Sequence, residues 1–463
     1  MKSRIKSIAI IVLLNICVVI AGYAQQKTPH YDRLMGMKET TAIENYVDSL
    51  LKGSEQDGME VLAYYRAKKD QNKVNSITDN LKKRFPNGYT AASEYVMKIY
   101  KEGDMAEVEK LVQEYLNRFP TLNLSNMYTV AADRSAKNRS LDHFLMYLGK
   151  IEDQDMKGLI LNVCSPAFID SEPERMKEVF DKKLTEFDIA KDDLNKFYDL
   201  LEISSDLYVA LKDYKNALKC IEPVFLYKQE KSNDFLIKYA NVLSLNQEYD
   251  KAFVMLDSLV RAGQGNEKLR TDFQVAFSNV FPASDFDHYL AGIQEVLHEE
   301  IAHDVSKKII KEKAPDFYVT DVNGNVKTLD DFKGKLLVLD FWANWCGPCK
   351  KSFPAMQQAV NKFKNDKEVE FLFIHTWENA KEPVLVAQKY LKKYNYSFNL
   401  LMDLKDKKTG ENNAATAFGI KGIPAKFIID KDGFIRYKGA GFGGGDDELV
   451  AELSALIHQI KQN

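Results

Sequence analysis

Leu336-Leu337-Val338-Leu339-Asp340-Phe341-Trp342 is an apolar run broken by one carboxylate, and Ala343-Asn344-Trp345 leads from it into Cys346-Gly347-Pro348-Cys349-Lys350. A short, near-continuous apolar run reads as a strand buried on both faces. Lys350 to Phe363 carries helical patterning, interrupted at Pro354. The cysteine pair therefore stands where a buried strand hands over to a helix. A helix N-terminus stabilises negative charge through its free amides and dipole, and the thiolate is the reactive form of cysteine. Cys346 is expected where that effect and solvent exposure are greatest. Two intervening residues bring Cys349 back within bonding distance on the same turn. Cys346 should attack a disulfide and Cys349 should resolve the mixed disulfide. Half of a zinc site is one alternative, but no second cysteine pair or spaced histidine pair completes it, and of the seven histidines only His375 and His458 fall in this region. A static structural disulfide is the other, and the placement after a buried strand argues against it as well.

From this segment outward, strands and helices alternate. Asp321-Val322-Asn323-Gly324-Asn325 makes a hairpin turn between Phe317–Val319 and Val326–Thr328. Val369–His375 is a second strand. Helical patterning returns over Pro383–Tyr394 and near Asn413–Phe418. Lys426–Asp430 and Phe434–Tyr437 form a hairpin around Lys431-Asp432-Gly433, and Asp447–Ile460 closes with a helix. The fold expected over 314–463 is an α/β sandwich around a central mixed sheet. The lysine-rich stretch 301–313 reads as the end of a helix and a linker.

Residues 340–350 with Pro354 are very similar to thioredoxin's active-site segment, and Phe418-Gly419-Ile420-Lys421-Gly422-Ile423-Pro424 resembles its cis-proline segment. Ala314-Pro315-Asp316-Phe317, the hairpin and an inserted segment around 378–412 look like the TlpA and ResA type of exported thiol–disulfide oxidoreductases. The resemblance covers 314–463. It implies that Asp340 is a buried carboxylate beneath the disulfide, with a raised pKa, exchanging a proton with Cys349. It implies a cis bond before Pro424, facing the sulfurs, and backbone groups at Ile423 that pair with an extended substrate strand. Trp345 and Trp342 would shape the apolar surround, and Pro354 would kink the helix. Many ResA-like proteins carry a glutamate three residues after the second cysteine; Ser352 stands there, which leaves proton handling to Asp340 and puts transfer of a cytochrome-maturation role in doubt. Gly347-Pro348 matches the reducing members, with potentials of about −270 mV against about −120 mV for strong oxidants.

Residues 27–300 read as helical, with apolar positions such as Leu236, Tyr239, Ala240, Leu256 and Leu259 at three- and four-residue spacing. Arg84-Phe85-Pro86 recurs as Arg118-Phe119-Pro120, and Ser205, Tyr214 and Ala217 map onto Ala240, Tyr249 and Ala252. The offsets are about 34 residues, and the pattern resembles degenerate tetratricopeptide repeats. An irregular helical bundle is the alternative.

Lys2, Arg4 and Lys6, the apolar run Ile8–Ala21 and Gly22-Tyr23-Ala24 read as a signal peptide over 1–24. A permanent anchor, and a lipoprotein built on Cys17, are the other readings; bulky Ile16 suits the latter badly. A periplasmic or secreted protein is expected, touching membrane only through an uncleaved segment. Cleavage leaves Cys164, Cys220, Cys346 and Cys349, too few for a disulfide-stapled fold. Cys220 reads as a small core hydrophobe, and no catalytic role falls to it or to Cys164.

Lysine and arginine (64) nearly balance aspartate and glutamate (67) over 463 residues, so no global field for nucleic acid exists. No glycine-rich loop for a nicotinamide or flavin follows a strand, and neither cofactor nor metal is expected. The reading is an exported thiol–disulfide oxidoreductase that reduces protein disulfides. Its helical region docks clients, and a membrane thiol-transfer protein donates the electrons. Three other readings stand beside it: a helical binding protein or scaffold with an accessory thioredoxin-like domain, a disulfide oxidase or isomerase, and a peroxidase, since Ala-Pro-Asp-Phe also opens peroxiredoxins.

Overall fold

A computed structural model describes residues 29–122, 124–185, 197–443 and 445–462, so the expected signal segment lies outside the described residues. The chain falls into two compact units that divide between Lys228 and Gln229. The multidomain architecture is helical first and then α/β.

The first unit is built from helices running from Pro29–Gly36 to Tyr214–Tyr227. Three of its hairpins share a connector. Helices Glu55–Ala67, Ser125–Lys137 and Tyr198–Ala210 are followed, two residues on, by Lys69, Arg139 and Lys212 at φ of 59°, 54° and 59°. The left-handed residue ends one helix, and Asp70 or Asp213 then caps the next by accepting from Lys73 N or Asn216 N. The repeated Arg-Phe-Pro triplet also does a repeated job. Phe85 and Phe119 both leave the helical region at φ −125°, as residues before proline must. Arg84 donates to the carbonyls of Leu51, Lys52 and Gly53, and Arg118 to that of Pro86.

The second unit begins with α1 (Asn233–Leu245), α2 (Tyr249–Arg261), α3 (Glu267–Val280) and α4 (Phe286–Val305). The same connector recurs at Gln247, φ 63°, between α1 and α2. Phe281, before Pro282, repeats the helix stop at φ −127°. The stretch 301–313 finishes α4, whose Val305 is fully buried in the core of the sheet layer. It continues as β1 (Glu312–Lys313).

Next come β2 (Tyr318–Thr320), β3 (Val326–Thr328), β4 (Leu336–Trp342), α5 (Gly347–Phe363), β5 (Val369–His375), α6 (Pro383–Lys393), β6 (Asn399–Met402), α7 (Asn413–Ala417), β7 (Ala425–Ile429), β8 (Phe434–Ala440) and α8 (Asp446–Gln462). They make one mixed sheet in the order β1-β8-β7-β4-β5-β6-β2-β3. β4 lies at its centre, parallel to β5 and antiparallel to β7, with every residue buried. Period-two alternation sends Leu336, Val338 and Trp342 to the face covered by α4, α5 and α8. Leu337, Leu339 and Phe341 go to the other face, under Phe317, Ala414 and Phe418.

Candidate functional site

Cys346 is the N-cap of α5, and its Sγ lies 3.1 Å from the backbone nitrogen of Cys349. Pro348 sits in the first turn, where its missing N–H costs nothing. The two cysteines are joined as a disulfide, with Cα atoms 5.4 Å apart. The pair is better covered than the sequence suggests: Cys346 is 2% exposed and Cys349 fully buried. A helix end alone favours exposure, but here the Cys346 sulfur packs into the core beside Ile423. The Sγ of Cys346 is 3.5 Å from the carbonyl oxygen of Ile423, and the Ile423–Pro424 bond is cis. Trp345 is the open part of the rim at 45% exposed, whereas Trp342 is sealed in the core. Ser352 is buried one turn along α5 and donates to the Cys349 carbonyl at 2.9 Å.

Asp340 lies on the same sheet face as Val338 and Trp342, the face that α5 covers. It is fully buried, and burial pushes its carboxyl above the ordinary carboxylate range. Lys426 opposes this from β7, with Nζ 3.3 Å from Oδ2 and 3.4 Å from Oδ1. Nothing local in the sequence marks Lys426, because its place follows from strand register.

A second group missed at the sequence level holds the loop before Cys346. His375 Nε2 is 2.9 Å from Asn344 Oδ1, the Asn344 backbone nitrogen donates to Glu378 at 3.2 Å, and the Trp345 indole donates to the Trp377 carbonyl at 2.8 Å. In the sequence His375 is only a histidine without metal-ligand spacing, since its contact with Asn344 spans 31 residues.

Helices outside 314–463 also reach this region. Lys351 of α5 pairs with Asp234 of α1 at 2.6 Å. Gly441 N donates to the Pro424 carbonyl. Further along the same loop, Gly445 packs so closely on Gly263 that a Cβ there would collide with the Gly263 carbonyl oxygen. Arg270 pairs with Asp447 at the start of α8. Cys164 and Cys220 are buried free thiols, and burial pushes the Cys220 thiol up to about 12. Such a thiol is inert at neutral pH. Among the described residues no helix is long and apolar enough to cross a membrane.

A family model described as AhpC/TSA family matches residues 310–438. Curated relatives include the thiol-disulfide oxidoreductase ResA of Bacillus thuringiensis subsp. konkukian, 37% identical over 127 residues, or 27% of this chain and 67% of the relative. ResA of a Bacillus cereus strain is 33% identical over 164 residues, covering 35% of this chain and 86% of the relative. Among solved structures, the thioredoxin domain of a thiol-disulfide oxidoreductase from Bacteroides vulgatus is 26% identical, with 33% of this chain and 94% of that one covered and a TM-score of 0.26. A thiol:disulfide interchange protein from Bacteroides sp. is also 26% identical, with coverages of 32% and 90% and a TM-score of 0.27.

Proposed function

Because the chain belongs, through its C-terminal domain, to the ResA family of thiol–disulfide oxidoreductases, we propose that it is an exported protein-disulfide reductase working through Cys346 and Cys349. The observation that carries the reading is the seat of Cys346 at the N-cap of α5, its sulfur against the Cys349 amide. In the reduced protein a Cys346 thiolate there attacks one sulfur of a client disulfide. A mixed disulfide forms, and the client's other sulfur leaves as a thiolate. Asp340 takes the proton of Cys349, whose thiolate attacks the Cys346 sulfur. The intramolecular disulfide closes, and the second client thiolate departs. Two electrons pass to the client in each cycle.

The cis-proline segment fits the client side. Ile423 offers its backbone to an extended strand next to the target disulfide, and Trp345 supplies an exposed aromatic wall. The tetratricopeptide-like helices would select which clients reach the sulfurs. Regeneration needs a two-electron donor, for which a membrane thiol-transfer protein is the candidate. Finding the pair reduced in cells that lack every such protein overturns that assignment.

Two measurements test the function. Equilibration of the pair with defined thiol buffers should give a potential near that of thioredoxin, about −270 mV. A Cys349→Ser variant should accumulate client proteins bound through Cys346. A potential near about −120 mV reverses the direction and makes the protein a disulfide donor.

A further inference from the structure

Four contacts tie the loop that carries Cys346 to residues 375–378. Thr376 N donates to the Trp342 carbonyl at 2.9 Å, and Asn344 N to Glu378 Oε2 at 3.2 Å. The Trp345 indole reaches the Trp377 carbonyl, and His375 Nε2 reaches Asn344 Oδ1. Trp377 makes its contact from φ 53°, a left-handed conformation that costs a bulky side chain about 1–2 kcal/mol. Strain of that kind persists only where the surroundings over-determine it.

The tautomer of His375 follows from its partner. Asn344 Nδ2 donates to the Val386 carbonyl at 3.1 Å, which leaves Oδ1 as the acceptor and Nε2–H of His375 as the donor. Burial lowers the imidazole pKa to about 4, against the opposing pull of Glu378, so the ring is neutral at pH 7 and this N–H is its single donor. Nδ1 is buried without a hydrogen-bond partner among the described residues. The ring is 1% exposed and packs edge-on against Trp342, with centroids 4.6 Å apart. A buried neutral imidazole that keeps one nitrogen unsatisfied is an expensive way to fill space. Its hydrogen bond goes to Asn344, two residues before Cys346, and the same nitrogen lies 3.5 Å from the Glu378 carboxylate.

We infer that His375 is a positioning residue for the Cys346–Cys349 pair, acting through Asn344 to hold the Cys346 sulfur over the first turn of α5. The inference rests on the thiol–disulfide reading above. In the reduced state that placement keeps the Cys349 amide on the Cys346 thiolate. A slack loop weakens this contact, raises the free energy of the dithiol form and shifts the equilibrium toward the disulfide.

The test uses the full mature chain and four variants. His375→Phe keeps an aromatic ring against Trp342 and removes the donor. His375→Gln places an amide N–H near the position of Nε2. Asn344→Ala removes the acceptor, and the fourth variant combines His375→Phe with Asn344→Ala. In glutathione buffers, His375→Phe and Asn344→Ala should each favour the disulfide by about threefold to tenfold, a potential lower by roughly 15–30 mV. His375→Gln should stay within about twofold of wild type, and the double variant should match Asn344→Ala alone. A His375→Phe protein that melts earlier but keeps the wild-type potential overturns the inference, as does a double variant whose shift is the sum of the single ones. Reduction of protein disulfides is assayed separately. A wild type that fails there overturns the functional reading, while the glutathione equilibrium still decides the role of His375.

Discussion

Asp340 and Lys426 stand directly opposite each other in the antiparallel pairing of β4 and β7, their charged ends 3.3 Å apart and both closed off from solvent. β7 starts at the residue after Pro424, so the cation facing the buried carboxylate belongs to the strand that carries the cis-proline. Burial raises the carboxyl's proton affinity and the ammonium lowers it. In the proposed mechanism, the balance between the two would set how readily Asp340 takes the Cys349 proton.

Lys426→Met should tip that balance. Without the cation, burial acts alone, the Asp340 carboxyl moves further up and it holds its proton to higher pH. The acid limb of mixed-disulfide resolution should shift to higher pH, with resolution near pH 7 slower by about tenfold. Stopped-flow release of a thiol from a preformed Cys346 adduct reads this. An unchanged profile separates Lys426 from proton handling.

The same pair makes a stability prediction. Asp340→Asn strands a buried ammonium and should cost about 3–5 kcal/mol, whereas Asp340→Leu with Lys426→Met should equal wild type or exceed it by about 1–4 kcal/mol. Because the folded-state pKa of Asp340 is raised, native Asp340 binds its proton more tightly than unfolded Asp340 does. Its stabilising contribution is complete below the unfolded value and is lost as pH rises through the folded one. The advantage of the double variant should therefore grow with pH. Urea titrations at several pH values measure both effects.

Val305 ties α4 into the core that also holds Cys346, Cys349, Leu456 and Ile457. Val305→Ala should destabilise the second unit by about 1–3 kcal/mol. A fragment starting at Ala314, without α4 and β1, should be less stable than one starting at Phe286. If the short fragment unfolds at the same urea concentration, α4 is dispensable to the sheet layer.

Lys212 and Gln247 occupy left-handed positions that glycine adopts without penalty. Lys212→Gly and Gln247→Gly should each stabilise the fold by about 0.5–1 kcal/mol, adding when combined. Thermal unfolding of the single and paired variants checks this.

What the sequence revealed about the site was whatever sits close together along the chain. Cys346, Cys349 and Asp340 lie within ten residues of one another, and Ile423-Pro424 carries its own local signature. Lys426 and His375 owe their places to register and to a contact across 31 residues, so no local pattern marked them. The fold behaved likewise. The seven-residue strands β4 and β5 are legible over their full length, while β1 and β6, two and four residues long, are too short to show a period. The hairpin connectors were illegible for another reason: lysine, arginine and glutamine stand where left-handed backbone ordinarily announces itself through glycine.

Helix α4 runs 20 residues without interruption, roughly 30 Å, and ends inside the layer beneath the cysteines. A link of that kind does not behave as a tether. A flexible linker would give a disulfide held by α1 to α3 an effective concentration averaged over all the volume it could sweep. On the proposed docking role, a rod anchored at its end would leave no such volume: a disulfide held by α1 to α3 would meet Cys346 at one fixed reach, or not at all.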